Sequence, residues 1–118
     1  MSELFGTIPG IGKLTYLNMY FFYDEPLIFS CVTEDGKPYL FMLLSSAEPD
    51  CAIWLAAEIS TEMMYRLINK NLPIREVYTD PEAKVWKVRR TGSFFAAEKI
   101  FPSTLTEDML PAPDAFLV

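Results

Sequence analysis

A chain of 118 residues, 51% hydrophobic and 14% aromatic, can build one self-supporting core and has little room for a second. With no histidine it lacks Ser-His-Asp and Cys-His nucleophiles, histidine metal sites and an imidazole base. A net charge of −6 and a pI near 4.5 argue against nucleic acid as a partner.

No apolar run reaches the roughly 20 residues of a membrane span. The first residues, Met1 to Gly6, lack the basic region and apolar stretch of a secretory signal, so a cytoplasmic protein is expected. Charge is unevenly spread. Residues 1–60 carry eight acids against two bases, residues 61–99 eight bases against five acids, and the last nineteen three acids and no base. Such a dipolar chain can orient a complementary partner but says nothing of fold.

Gly6, Pro9, Gly10 and Gly12 make residues 1–12 read as an irregular arm. Gly10-Ile11-Gly12-Lys13 lacks the spacing of a phosphate loop, and no predicted strand precedes it. Lys13 to Phe22 predicts a first strand, followed by a tight connection at Asp24-Glu25-Pro26, where Pro26 biases Glu25 to extended geometry. The strongest local signal follows. Leu27–Thr33 and Tyr39–Leu44 flank Glu34-Asp35-Gly36-Lys37, an Asp-Gly hairpin, with Pro38 opening the return strand. A loop over residues 45–50 leads to a strand at Ala52–Ala56, and links this short favour an antiparallel meander.

The period then changes to that of a helix over residues 61–69. Ser60 is its N-cap, Glu62 lies in the first turn, and Ile59 and Met64 are spaced for a hydrophobic staple. Met64, Leu67 and Ile68 make its apolar stripe, and Asn69 or Asn71 can end it in left-handed geometry. Pro73 at a first helical position, followed by Ile74, Val77 and Tyr78, predicts a short second helix that Thr79-Asp80-Pro81 stops. Lys84–Arg90 and Phe94–Phe101 read as a second hairpin around Thr91-Gly92-Ser93. The proline-containing tail, residues 102–118, holds a possible helical turn at Thr106–Leu110 and an apolar end, Phe116-Leu117-Val118. The expected fold is a single α+β domain, residues 1–118. It has an antiparallel sheet of about six strands, a meander plus a hairpin, and one main α-helix on one face.

Nothing in the chain reads as catalytic, cofactor-binding or metal-ligating. The acid pairs Asp24-Glu25, Glu34-Asp35 and Glu107-Asp108 sit in turns and lack EF-hand spacing. Cys31 and Cys51 read as reduced structural thiols, and two cysteines without histidine make a poor zinc site. A non-enzyme is expected. Lys84, Lys87, Arg89 and Arg90 make one strand basic. Alternation puts Lys87 and Arg89 on one face and Trp86, Val88 and Arg90 on the other, the pattern of a solvated strand that resists edge pairing.

Aromatics carry the sharper reading. Tyr16, Tyr20, Phe21, Phe22, Tyr23, Phe29, Tyr39 and Phe41 exceed what one face of a small sheet needs, so a second aromatic face asks for a second cover. The expected cover is another protein, a second copy of the chain or the C-terminal tail. The residues expected to meet a partner are Tyr20, Phe22, Tyr23, Trp86, Phe116 and Leu117.

The run Leu14–Leu44, with Tyr-Asp-Glu-Pro-Leu-Ile-Phe, a Glu-Asp-Gly turn and Tyr-Leu, resembles the opening of a small bacterial domain family of unknown function. The Trp54-Leu55 strand, the capped helix followed by Ile74-Arg75-Glu76, and Leu105–Leu110 are similar in order and spacing. The resemblance implies a small cytoplasmic protein of bacterial or phage origin and carries over no catalytic residue. The expected function is a non-enzymatic protein-binding module, an accessory or immunity-type subunit of a bacterial or phage-related complex. The alternative is a small-ligand or nucleotide sensor using Arg75, Lys84, Lys87 and Arg89.

Overall fold

Among the described residues, seven strands follow one another in the sheet in chain order, each antiparallel to the last. They are β1 (Leu4–Ile8), β2 (Gly12–Tyr23), β3 (Glu25–Thr33), β4 (Pro38–Glu48), β5 (Cys51–Glu58), β6 (Val85–Thr91) and β7 (Phe94–Ile100). Two short helices, α1 (Thr61–Ile68) and α2 (Ile74–Thr79), fill the connection between β5 and β6, and a 3₁₀ turn (Pro102–Thr104) follows β7. This computed structural model describes residues 4–23, 25–48, 51–80, 82–92, 94–105 and 110, without the side chains of 4, 18–23, 25–27 and 45–48.

The architecture is mainly β, which corrects the expected α+β class with about six strands and one main helix. The extra strand is β1, drawn from residues expected to be an irregular arm. Its glycine and proline punctuation marks real features. Gly10 and Gly12 take positive φ in the β1–β2 turn, while Leu4–Ile8 pairs with Gly12–Thr15. Residues 45–48, expected as loop, continue β4 through two register shifts.

The sheet curls until β1 returns beside β7, close to a barrel. Three register shifts in the β2–β3 pair supply local bends, since each bulge increases twist on one strand. Phe5 then meets Phe95 at 5.3 Å between ring centres, so side-chain packing joins the two edge strands.

This curl accounts for Tyr16, Phe29, Tyr39 and Phe41 of the aromatic surplus, while the side chains of Tyr20, Phe21, Phe22 and Tyr23 are outside the description. One face turns inward and buries Phe29, Tyr39, Phe41 and Trp54, with Phe5, Tyr16, Trp86 and Phe95 packed against them. Phe5 is the hub, within 5.1–5.4 Å of the rings of Tyr16, Phe29, Phe41, Trp54 and Phe95. Ala52, Ala56 and Ala97 leave room for these rings. For these described aromatics the curl of the sheet itself supplies a cover.

The outer face of the middle strands buries Ile28, Leu40, Met42, Leu55, Ala57 and Val85 against Leu67 of α1 and Ile74, Val77 and Tyr78 of α2. β3, β4 and β5 are therefore buried on both sides, which is why their sequences run apolar without alternation. The Tyr78 hydroxyl donates to the Leu40 carbonyl at 3.1 Å, tying α2 to β4. Leu105 and Leu110 pack on this same side, so the start of the tail folds back over the helix layer. The expected turn at residues 106–110 falls mainly outside the described residues.

The main helix starts as its sequence dictates. The Ser60 Oγ accepts the Met63 N–H at 3.1 Å, and Glu62 lies in the first turn. Its end differs. Asn69 is the C-cap with φ −84°, and the left-handed residue is Lys70, φ 61°. Lys70 N–H donates to the Leu67 carbonyl and Asn71 N–H to that of Arg66, the paired bonds of a Schellman motif. Ile68, expected in the apolar stripe, is 52% exposed. Pro73 is the N-cap of α2, one position before the expected one.

Candidate functional site

β5 is pinned at its end from both sides: Ile59 N–H donates to the Pro38 carbonyl and Glu58 N–H to that of Lys84. These bonds set the start of α1 against the start of β6. Across from them, α2 ends in a turn ordered by Asp80, whose carboxylate accepts the Glu82 N–H at 2.9 Å while its carbonyl accepts the Ala83 N–H.

Between these elements lies a hollow of about 310 Å³. Ile59, Met63, Val77 and Ala83 contribute its apolar lining, and Glu58, Ser60, Asp80, Glu82 and Lys84 its polar one. A second hollow of about 430 Å³ is lined by Met63, Arg66, Leu72, Glu76, Thr79 and Asp80. Met63 and Asp80 border both, so the two hollows adjoin as a groove along α1 and α2. Ile59, Leu72 and Val77 are buried, whereas Arg66, Glu76, Asp80 and Glu82 are exposed. The result is an apolar floor under a charged rim. Lys84 Nζ stands 3.9 Å from Glu58 Oε2 on that rim.

The groove offers carboxylates, a lysine and an arginine, with no histidine or cysteine along it. No group of three or more metal-ligating side chains converges among the described residues. The arrangement can bury apolar side chains and orient charged ones.

Of the expected contact residues only Trp86 has a described side chain, and it does not line this groove. Tyr20, Phe22 and Tyr23 lie in the last part of β2, whose side chains are outside the description, and Phe116 and Leu117 are outside the described residues. Trp86 is half-buried and faces the barrel interior, with Lys99 Nζ 5.9 Å from its ring centre. The cations of the alternative reading are dispersed. Arg75 is on α2, Lys84 is on the groove rim, and Lys87 and Arg89 point outward from β6, opposite Glu98 and Ala96 of β7. The division of β6 into two faces is as expected, but the strand is not a solvated edge: it pairs with β5 and β7, and its Trp86, Val88 and Arg90 face turns inward. Both cysteines are free thiols, and burial pushes the Cys31 thiol well above its ordinary range. Missed by the sequence were Met63, Asp80 and Glu82. The Ser60 cap and the Asp80 turn were its only pointers to where two short helices would meet.

A family model described as a family of unknown function (DUF6575) matches residues 2–99. The chain belongs to this family. The DUF6575 match runs from the residues before β1 into β7, so it contains the whole groove and ends one residue short of the end of β7. The resemblance to an uncharacterised domain family is therefore correct. Comparison with curated proteins gives no match, and comparison with solved structures gives none either. No helix among the described residues is long and apolar enough to cross a membrane.

Proposed function

We propose that the chain is a non-catalytic protein-binding module. In this reading it takes an apolar, basic segment of a partner in the groove over α1 and α2, as an accessory or immunity-type subunit of a bacterial or phage-related complex in the cytoplasm. The observation that carries the reading is a pair of adjoining hollows with an apolar floor and a net negative rim. Glu58, Glu76, Asp80 and Glu82 line it against two bases, Arg66 and Lys84. Burial on the floor supplies affinity, and the rim selects charge and orientation. Exposed groups along both hollows suit a peptide segment better than a small molecule, which binds where most of its surface is enclosed.

Selection from a random peptide library on the immobilised protein tests this. Binders should interleave apolar residues with Lys or Arg and weaken as salt rises. Met63→Ala and Glu82→Lys should each reduce their affinity about tenfold, the loss of roughly 1.4 kcal/mol. Selected peptides without basic residues, or affinities indifferent to both substitutions in a folded protein, overturn the reading.

A further inference from the structure

On the inward side of the curled sheet, away from the groove, β5 and β6 hold hydrogen-bonding groups that meet no partner among the described residues. Trp86, Val88 and Arg90 alternate inward along β6, and Trp54 of β5 sits directly across from Val88. Among the described residues, the buried side-chain polar atoms without a hydrogen-bond partner are Trp54 Nε1, Trp86 Nε1 and Arg90 Nε. All of them donate, and none accepts. Trp54 itself is only 3% exposed. The Arg90 guanidinium carbon stands 5.5 Å from the centre of the Trp54 ring, and no carboxylate pairs with it among the described residues. Stacking on a ring face attracts a cation but satisfies none of its N–H groups. Buried donors of this kind almost always meet an acceptor.

We propose that Arg90 and Trp54 form a binding site for a small oxyanion, a carboxylate or a phosphate, on the inner face of the barrel. The guanidinium supplies charge and a planar fork of donors, a geometry matched to such anions. The indole N–H supplies a further donor. Phe5 fills the barrel beside Trp54 and beside Phe95, the cross-strand neighbour of Arg90, which limits the guest to a small group. Trp86 lies two inward positions further along β6, beyond Val88, and serves as an internal reference.

The chain has two tryptophans, so its two indole N–H resonances report the two positions separately. Acetate and inorganic phosphate are titrated into the ¹⁵N-labelled protein against sodium chloride at matched ionic strength. The expected result is a saturable shift of the Trp54 resonance, larger than that of Trp86, with acetate or phosphate and not with chloride. Which of the two saturates first assigns the anion class. Arg90→Gln should weaken the binding about tenfold or more. Trp54→Phe, which keeps an aromatic face and removes the N–H, should reduce the rise in melting temperature that the anion gives. A Trp54 resonance that moves linearly, equally with chloride, or with the same affinity in Arg90→Gln overturns the site. So does magnetisation transfer from a long-lived water to the Trp54 indole with no response to either anion. The wild-type titration decides alone if Arg90→Gln does not fold.

Discussion

Gly6 lies beneath the ring of Phe95: a Cβ at Gly6 would come within 2.5 Å of its Cε2 atom. The first and last strands of the sheet thus meet where one has no side chain and the other has a large one. Gly6→Ala should force the ring aside at a cost of about 1–3 kcal/mol, the usual range for overpacking. In a double-mutant cycle with Phe95→Leu, chemical denaturation should show a coupling of about 1 kcal/mol. Additive losses would mean that the strands do not close on each other.

Phe5 makes the account of β1 testable in another way. A residue of an irregular arm would be dispensable, whereas the hub of five ring contacts is not. Phe5→Ala should destabilise by about 3 kcal/mol. A loss under about 0.5 kcal/mol, the scale of ordinary surface substitutions, would return β1 to the status of an arm.

Lys70 holds a left-handed conformation that favours glycine. Lys70→Gly should therefore stabilise the protein by roughly 0.5–1 kcal/mol, because the relief at the helix end exceeds the entropy added to the unfolded chain. A lower denaturation midpoint would show that the Schellman motif is not the end of α1 in solution.

High pH should weaken the fold. Burial raises the Cys31 thiol and the Tyr78 phenol from ordinary values of 9.0 and 10.0. The unfolded chain loses these protons first, so stability is full below about pH 9 and falls as pH rises. Each group adds a slope of about 1.4 kcal/mol per pH unit while only the unfolded chain ionises. Tyr78→Phe starts about 1 kcal/mol lower, from the lost bond to Leu40, yet its profile should be flatter above about pH 10. Parallel profiles would contradict the burial of this phenol.

The local grammar of the chain was legible where one or two residues decide the outcome. Gly36, with φ 88°, turns the central hairpin as its Asp-Gly pair demands, and the Thr33 hydroxyl meets Asp35 within the same turn. Ser60 caps α1, and the inward set on β6 follows from alternation alone. Closure was not legible. It depends on bulges in β2 and on Gly6 fitting Phe95, relationships between residues nearly ninety positions apart that no local pattern records. The count of aromatics could not say that Phe5 would gather Tyr16, Phe29 and Phe41 on an inner face. The groove was hidden for the same reason. Met63 and Asp80 are unremarkable in sequence, and only the packing of α1 and α2 on the outer face brings them to one hollow.

The measurement that tests the central claim most directly is an amide chemical-shift map of the protein with a selected basic, apolar peptide. Asp80→Asn, which keeps the turn-ordering acceptor and removes the charge, serves as the comparison. The account predicts shifts concentrated at Ser60, Met63, Arg66, Glu76, Glu82 and Lys84, with weaker binding in Asp80→Asn. Shifts gathered instead around Lys87, Arg89 and Phe94 on the outward face of β6 and β7, with Asp80→Asn binding unchanged, would contradict it.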